Sequence, residues 1–227
     1  MDWTAYVDNY CERIAPGLWG EPLNTVSNLA FLVAAVLIWR KARTAADPRL
    51  ARTLAVLLGL IFLASTAFHA LAVRWAAAAD SGFILVFVLY YAVLFPRLFF
   101  GVRRRLAWLA APAFIAFTAL VTAVFASIGF GSSYLAPLLG LFAFALLLAF
   151  ARDRTLRPYW RNFALAGGVF TVSLSLRTAD HSVCGSFPPG THFLWHLLNA
   201  CVLYLVSHTA LRRAEQARPA SPAADRA

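Results

Sequence analysis

The sequence predicts an all-α integral membrane protein built as a bundle of seven transmembrane helices. Of its 227 residues, 61% are hydrophobic and only 13% are charged. With a mean hydropathy of +0.70, the chain is too apolar for an ordinary soluble domain. Its charged residues form short clusters that separate long apolar runs. Because a spanning helix needs about 20 mostly apolar residues, this spacing indicates membrane helices.

Seven apolar runs are long enough to be candidate spans. They cover residues 23–39, 53–73, 80–95, 106–126, 134–151, 163–177 and 191–211. The third run is among the shortest, and we expect Pro96 to end it because the position before a proline disfavours helix. Residues 1–211 are therefore expected to form one transmembrane domain. The tail 212–227, rich in Ala, Pro and Arg, is expected to be disordered.

The orientation of the bundle follows from its basic residues, which favour cytoplasmic loops. They are concentrated in every second connection and in the tail: Arg40, Lys41, Arg43, Arg49, Arg52; Arg97, Arg103, Arg104, Arg105; Arg152, Arg154, Arg157, Arg161; Arg212, Arg213, Arg218, Arg226. This alternation predicts an N-terminus outside and a cytoplasmic C-terminus, in the inner membrane if the chain is bacterial. Since the net charge of +10 arises in these loops and not in one patch, we expect no nucleic-acid partner.

Polar side chains that can bind a metal fall near the outer ends of three predicted helices. His192 and His196 are four residues apart, as are Ser65 and His69, so each pair shares one helix face; Asp80 begins the third run. Ionisable residues inside a membrane are costly and usually mark a site. Taken singly, each has a plainer interpretation: core histidines, a helix cap for Asp80, a packing residue for Ser65. Their common depth favours a site.

The chemistry that fits this set is zinc-dependent hydrolysis. Three histidines leave one zinc position for water, whose pKa zinc lowers to about 7. Asp80 can orient that water and take its proton, and the Ser65 hydroxyl can bond a developing oxyanion. The set predicts hydrolysis of an amide or ester, and its place in the outer leaflet indicates a membrane-lipid substrate. We expect no obligate protein partner.

The motifs along the chain resemble those of the alkaline ceramidases, within the seven-helix membrane hydrolases related to the adiponectin and progestin receptors. The matching stretches, in family order, are Tyr10-Cys11-Glu12; Glu21-Pro22-Leu23-Asn24-Thr25-Val26-Ser27-Asn28-Leu29; Ser65-Thr66-Ala67-Phe68-His69; Asp80; Asp180-His181-Ser182-Val183-Cys184; and His192-Phe193-Leu194-Trp195-His196. The resemblance implies zinc on His69, His192 and His196, assisted by Asp80 and Ser65. It implies hydrolysis of a ceramide-like lipid to a sphingoid base and a fatty acid.

The resemblance also raises calcium as a second metal near the N-terminus. Asn9, Glu12 and Glu21 match calcium-ligand positions of animal-type members, whereas Tyr10 replaces a Trp and Ile14 stands where an Asn ligand is expected. Calcium prefers six or more oxygen ligands. A partial calcium site is one interpretation, and interfacial carboxylates are the other.

Two cysteines and one charged pair belong to the same outer side. Cys11 and Cys184 lie where oxidation is possible, so we expect a disulfide, with two free thiols as the alternative. Cys201 falls inside the last helix and is expected to be a packing residue. Arg177 and Asp180 can pair at the end of the sixth helix.

Other functions compatible with the sequence keep part of this scheme. A lipid receptor or sensor of the same fold would hold zinc for structure only. A hydrolase of another N-acyl or ester lipid would keep the chemistry and change the substrate, since acyl pockets are built from interchangeable apolar side chains. A transporter ranks last because the ionisable residues lie toward one side and not at mid-depth.

Overall fold

The computed structural model describes residues 2–17, 19–126 and 133–217, and these residues form helices joined by short connections. The helices are α1 Pro22–Ser27, α2 Leu29–Lys41, α3 Pro48–Leu71, α4 Arg74–Phe100, α5 Arg104–Ala107, α6 Ala110–Ala126, α7 Leu135–Ala149, α8 Trp160–Val183 and α9 His192–Gln216, with a 3₁₀ turn over Arg157–Tyr159. The predicted all-α class is confirmed for this part of the chain.

Five helical stretches are long and apolar enough to cross a membrane. They are Pro22–Lys41, which joins α1 to α2, Pro48–Leu71, Arg74–Phe100, Arg104–Ala126, which joins α5 to α6, and His192–Gln216; α7 is apolar but shorter. Many large apolar side chains point outward, including Ile115, Leu120 and Val124 along α6. A surface of this kind is consistent with an integral membrane protein, whose outward faces contact lipid and not water.

Three expectations about helix boundaries are wrong. The helix that was expected to end before Pro96 continues through it to Phe100, where Gly101 takes a left-handed conformation. The same helix begins at Arg74, so Asp80 lies well inside it and is not a cap. Helix α9 extends beyond 211 to Gln216, because Leu211 is buried and the Arg213 Nε donates to the Leu98 carbonyl at 3.2 Å. The rest of the predicted disordered tail, residues 218–227, lies outside the described residues.

The helices pack as a bundle in which α9 contacts both α2 and α8, while α3 lies between α2 and α4, and α7 between α6 and α8. The core is made of aliphatic and aromatic side chains with almost no solvent exposure, among them Phe31, Ile38, Leu54, Leu58, Ile61, Phe87, Leu148 and Phe163. This packing brings the end of α3 next to the beginning of α9, which are the two helix ends that carry histidines.

The N-terminal segment crosses the same end of the bundle. Val7 donates to the carbonyl of Ala72 at 2.8 Å, and Arg74 donates to the carbonyl of Ala5 at 3.1 Å. Further along, Gly17 donates to the carbonyl of Ala70 at 2.8 Å. These backbone bonds attach the segment to the turn between α3 and α4, so that it covers the histidine-bearing helix ends.

Candidate metal centre

Three histidines from two helices meet at one end of the bundle. His69 lies near the C-terminal end of α3, and His192 and His196 occupy the first two turns of α9. Each offers a ring nitrogen, and the three atoms lie within 4.8 Å of one another. All three side chains are buried. Within the described residues this is the one group of His, Cys, Asp and Glu so arranged, and it could hold a metal ion.

Two of the three rings are oriented by polar neighbours. Nδ1 of His69 contacts the Glu21 carboxylate, and Nδ1 of His196 lies 2.8 Å from the Ser27 hydroxyl. Each contact engages Nδ1 and leaves Nε2 as the ring nitrogen that can bind a metal. A ring nitrogen held by a carboxylate or hydroxyl is the usual arrangement behind a metal-bound histidine, because it sets the tautomer and raises the basicity of the ligand.

The remaining ring nitrogens show that the cluster fits a metal. Nε2 of His69 and Nδ1 of His192 are buried and have no hydrogen-bond partner within the described residues. A buried polar atom without a partner costs about 1–3 kcal/mol, and a cation in the cluster would remove this cost. Three neutral imidazoles form a typical zinc-ligand set with one open position.

Glu21 is held in turn by a buried cation. Its Oε1 lies 2.6 Å from Nε of Arg13, and both side chains are inaccessible to solvent. Burial raises the pKa of the Glu21 carboxyl to about 7, although Arg13 and the Asn24 amide act in the opposite direction. The carboxylate therefore joins an arginine of the N-terminal segment to a histidine of α3.

The two acidic residues proposed as calcium ligands have other partners here. The Glu12 carboxylate accepts hydrogen bonds from the backbone N–H groups of Leu23 and Asn24, at 2.6 and 2.8 Å. It thus caps α1, whose N-terminus favours a negative charge. Glu21 is paired with Arg13 and His69, and Asn9 is exposed. Calcium binding stays a prediction. The Glu12 and Glu21 carboxylates that would bind the ion already contact other groups of the protein.

Asp180 fixes the beginning of α9 and does not pair with Arg177. Its Oδ1 accepts from the backbone N–H groups of Thr191 and His192, at 2.6 and 2.9 Å. Its Oδ2 accepts from the backbone N–H of Cys11 at 3.0 Å. Gly190 permits this approach: its φ is +65°, and a Cβ there would collide with Asp180 Oδ1 and meet Cys11 Cβ at 2.8 Å. One carboxylate therefore positions a candidate metal ligand and the N-terminal segment together.

The predicted disulfide between Cys11 and Cys184 is confirmed. It ties the N-terminal segment to the end of α8, beside the Asp180 bonds. The neighbouring Tyr10 ring stacks on His192 with centroids 3.6 Å apart and also lies 5.5 Å from the His69 ring. Tyr10 thus covers one side of the histidine cluster, and burial raises the pKa of its hydroxyl, which keeps it protonated.

Ser65 and Asp80, the two predicted assisting residues, face each other from α3 and α4. Ser65 is buried, and its hydroxyl is within hydrogen-bonding range of the Asp80 carboxyl. Oδ1 of Asp80 is buried without a hydrogen-bond partner within the described residues. Asp80 does not belong to the 4.8 Å histidine group. It interacts electrostatically with Tyr10, whose ring stacks on His192.

An apolar cavity lies inside the bundle. It is lined by residues of α4, α6, α7, α8 and α9: Ile84, Phe87, Val88, Tyr91, Ala92, Phe114, Tyr134, Pro137, Gly140, Leu141, Phe144, Phe170, Asn199, Val202, Leu203 and Val206. Asn199 lies three residues after His196 on the same helix, which places one end of the cavity next to the centre. At the other end, the Tyr91 hydroxyl donates to the Val206 carbonyl at 2.9 Å.

Sequence reasoning did not find the residues that support the histidines. Ser27 lies 169 residues from His196 in the chain, and Asp180 lies 12 residues from His192. Arg13 acts on the histidines only through Glu21. Glu21 was assigned to calcium. A signal existed for it: a carboxylate directly before Pro22 in an apolar stretch is costly unless it is paired.

Comparisons with known proteins add no family assignment. A scan against protein-family models matches none to this chain, and a search of curated proteins finds no significant match.

Proposed function

We propose that this protein is a zinc-dependent membrane amidase of the alkaline ceramidase type, which hydrolyses the N-acyl bond of ceramide-like lipids. The observation that carries the proposal is the histidine group, whose ring nitrogens lie within 4.8 Å of one another. Its supporting contacts from Glu21 and Ser27 are those expected behind bound zinc. Neutral imidazoles favour zinc over calcium or magnesium, which prefer oxygen.

The proposal includes a seven-helix topology with the centre near the extracytoplasmic surface. Helices α7 and α8 supply the two spans beyond the five that are long and apolar enough. The basic loops favour an outer N-terminus and a cytoplasmic C-terminus. The Cys11–Cys184 disulfide lies at the histidine end, and disulfides persist on the oxidising side of a membrane. Both arguments favour the same orientation.

The residues around the centre suit amide hydrolysis. When bound, zinc would polarise the amide carbonyl and lower the pKa of water. Asp80 accepts a proton from the attacking water and returns it to the leaving amine. The Ser65 hydroxyl, which has one proton to donate, turns from Asp80 to the charge that develops on the carbonyl oxygen. Tyr10 shields His192 from solvent, since its ring stacks on the imidazole.

The cavity supports a lipid as the substrate. Its lining is almost wholly apolar and includes Asn199, which lies three residues after His196 on α9. From Ile84 to Ala92 along α4, the rise of about 1.5 Å per residue makes it about 12 Å deep. An acyl chain lying in it would hold its amide group at the histidine end.

The decisive experiment incubates purified protein with a panel of N-acyl and ester lipids and measures released fatty acid and bound zinc. Wild type is expected to contain about one zinc per chain and to hydrolyse ceramide, and a chelator should abolish both. His192→Ala should lose zinc and activity. His208→Ala is the matched control, because His208 is also on α9 but stacks on Tyr204 away from the cluster.

The other outcomes distinguish the alternatives. Hydrolysis of other N-acyl or ester lipids but not ceramide would keep the chemistry and change the substrate. Retained zinc with no hydrolysis of any lipid would favour a receptor or sensor with structural metal. Full activity in metal-free His192→Ala protein would refute the amidase proposal.

A further inference from the structure

Arg177 lies in the last two turns of α8 and has no role in the scheme above. Its side chain is half-buried. The guanidinium lies over two aromatic rings, 4.8 Å from the centroid of Tyr134 and 5.6 Å from that of Trp195. Stacking on two rings holds the planar group in place, which reduces the conformational entropy that a ligand would otherwise have to fix.

The charge of Arg177 has no close carboxylate partner within the described residues. Asp180, three residues further on, uses both oxygens for backbone N–H groups. The ion pairs formed within 4.0 Å involve Arg13, His69 and Glu21. Asp80 interacts electrostatically with Arg177, but at a longer distance. Among the described residues no carboxylate therefore occupies the N–H donors of this guanidinium, which leaves them for an anionic ligand.

The position of Arg177 connects the centre with the cavity. It interacts electrostatically with Tyr10, His192 and His196. Tyr134, on which it stacks, also lines the apolar cavity. A ligand whose alkyl chain fills the cavity would have its polar end between the histidines and this guanidinium. That combination, an apolar cavity with a cation at its mouth, suits an anionic amphiphile.

We infer that Arg177 forms an anion subsite beside the metal centre, which binds a carboxylate or phosphate carried on the headgroup of an N-acyl lipid. The inference rests on the proposed amidase function and narrows its substrate class. Guanidinium groups bind both anions through two parallel hydrogen bonds. Neutral ceramide stays a substrate of the proposed amidase, and N-acyl lipids with an anionic group near the scissile amide bind more tightly than neutral ones.

A binding experiment tests the subsite without turnover. Wild type, Arg177→Gln and the control Arg74→Gln are titrated in nonionic detergent with dodecyl phosphate and with dodecanol, neither of which has an amide to cleave. Arg74 is an exposed arginine at the start of α4, so its variant loses the same charge away from the cavity. We expect Arg177→Gln to weaken dodecyl phosphate binding about 10-fold, as for loss of a charged hydrogen bond. Dodecanol binding should not change.

Several results would overturn the subsite. The first is that wild type binds dodecyl phosphate and dodecanol with equal affinity. The second is that Arg177→Gln loses affinity equally for both ligands. The third is that Arg74→Gln loses as much affinity for dodecyl phosphate as Arg177→Gln does. Inorganic phosphate is added as a competitor: if it displaces dodecyl phosphate at equal concentration, the site takes free anions and the headgroup assignment is wrong.

A kinetic experiment separates this inference from the proposed function. N-lauroylglycine and N-lauroylethanolamine have the same acyl chain and differ in the anionic group. Arg177→Gln should raise KM for the glycine compound about 10-fold and leave kcat for both unchanged. If neither compound nor any other lipid is hydrolysed while the binding difference persists, the amidase proposal fails and the anion subsite stands.

Discussion

Arg13 and Glu21 form an ion pair at 2.6 Å in which both side chains are fully buried. The second oxygen of the same carboxylate contacts His69. A buried charge left without its partner costs about 3–5 kcal/mol. The pair therefore stabilises the N-terminal segment in the position in which Arg13 reaches Glu21. It therefore links the folding of that segment to the orientation of a candidate metal ligand.

Replacing Glu21 should weaken metal binding at the histidine centre. In Glu21→Gln the carboxylate that orients His69 becomes a neutral amide, and loss of such a partner typically costs about 10- to 100-fold in metal affinity. Zinc affinity is measured by competition with a chromogenic chelator. Glu215→Gln, an exposed carboxylate on α9, is the control and should bind zinc as wild type does.

The Glu21 variant also leaves Arg13 unpaired, so stability needs its own measurement. The double variant Arg13→Met/Glu21→Gln removes both charges and should recover most of the stability lost in the single variant. Its zinc affinity should stay low. Zinc affinity restored together with stability would show that Glu21 acts only through folding.

Asp180→Asn should destabilise the end of the bundle that holds His192. The amide has one oxygen, whereas the carboxylate serves Thr191 and His192 on one side and Cys11 on the other. The NH2 group of the asparagine must then face a backbone N–H donor on one side, which leaves that donor without an acceptor at a cost of about 1–3 kcal/mol. Denaturant unfolding in detergent measures this cost. Asp153→Asn, at an exposed carboxylate bonded to Thr155, should change stability little.

Removing the disulfide should loosen the N-terminal segment. Cys11 and Cys184 are 173 residues apart in sequence, and loss of a native disulfide typically costs about 2–5 kcal/mol. Cys184→Ser should lower the unfolding temperature and expose the segment to protease. Cys201→Ser, at a free and exposed cysteine of α9, is the control. Peptide mapping without reductant should recover the linked pair, and its absence would contradict the bridge.

Filling the cavity should shorten the acyl chain that the protein accepts. Gly140 lines the cavity, and a Cβ there would meet only Phe114 Cε2, at an ordinary 3.6 Å. Gly140→Leu is expected to lower activity on long N-acyl chains by about 10-fold or more, as in other pockets where a few methylenes decide binding, and to spare short chains. Gly168→Leu adds the same side chain at an exposed position of α8 with no atom within 4 Å. An identical chain-length profile in both variants would place the substrate elsewhere.

The helix pattern was readable from the sequence because apolar runs of membrane length have few alternatives. The residues at which the helices begin and end could not be read from the sequence in the same way. Pro96 lies inside α4, and Asp80 lies well within it, since neighbouring helices decide how far a helix continues. The grouping of His69 with His192 and His196 was predicted because all three lie at a similar depth in the membrane. That prediction depends on the orientation of the helices, which the basic loops indicate.

By itself the sequence determined the all-α class, the apolar helices, the spacing of His192 and His196 on one helix face, and the two cysteines available for a bridge. These properties are local, set by hydropathy and by the 3.6-residue period. Only the tertiary structure decided that Glu21 pairs with Arg13 and His69, that Ser27 contacts His196, and that Asp180 serves α9 and leaves Arg177 to its aromatic neighbours. Some of these contacts join residues far apart in the chain, as Ser27 and His196 do, and all depend on how the segments pack and on which buried polar atoms must find partners.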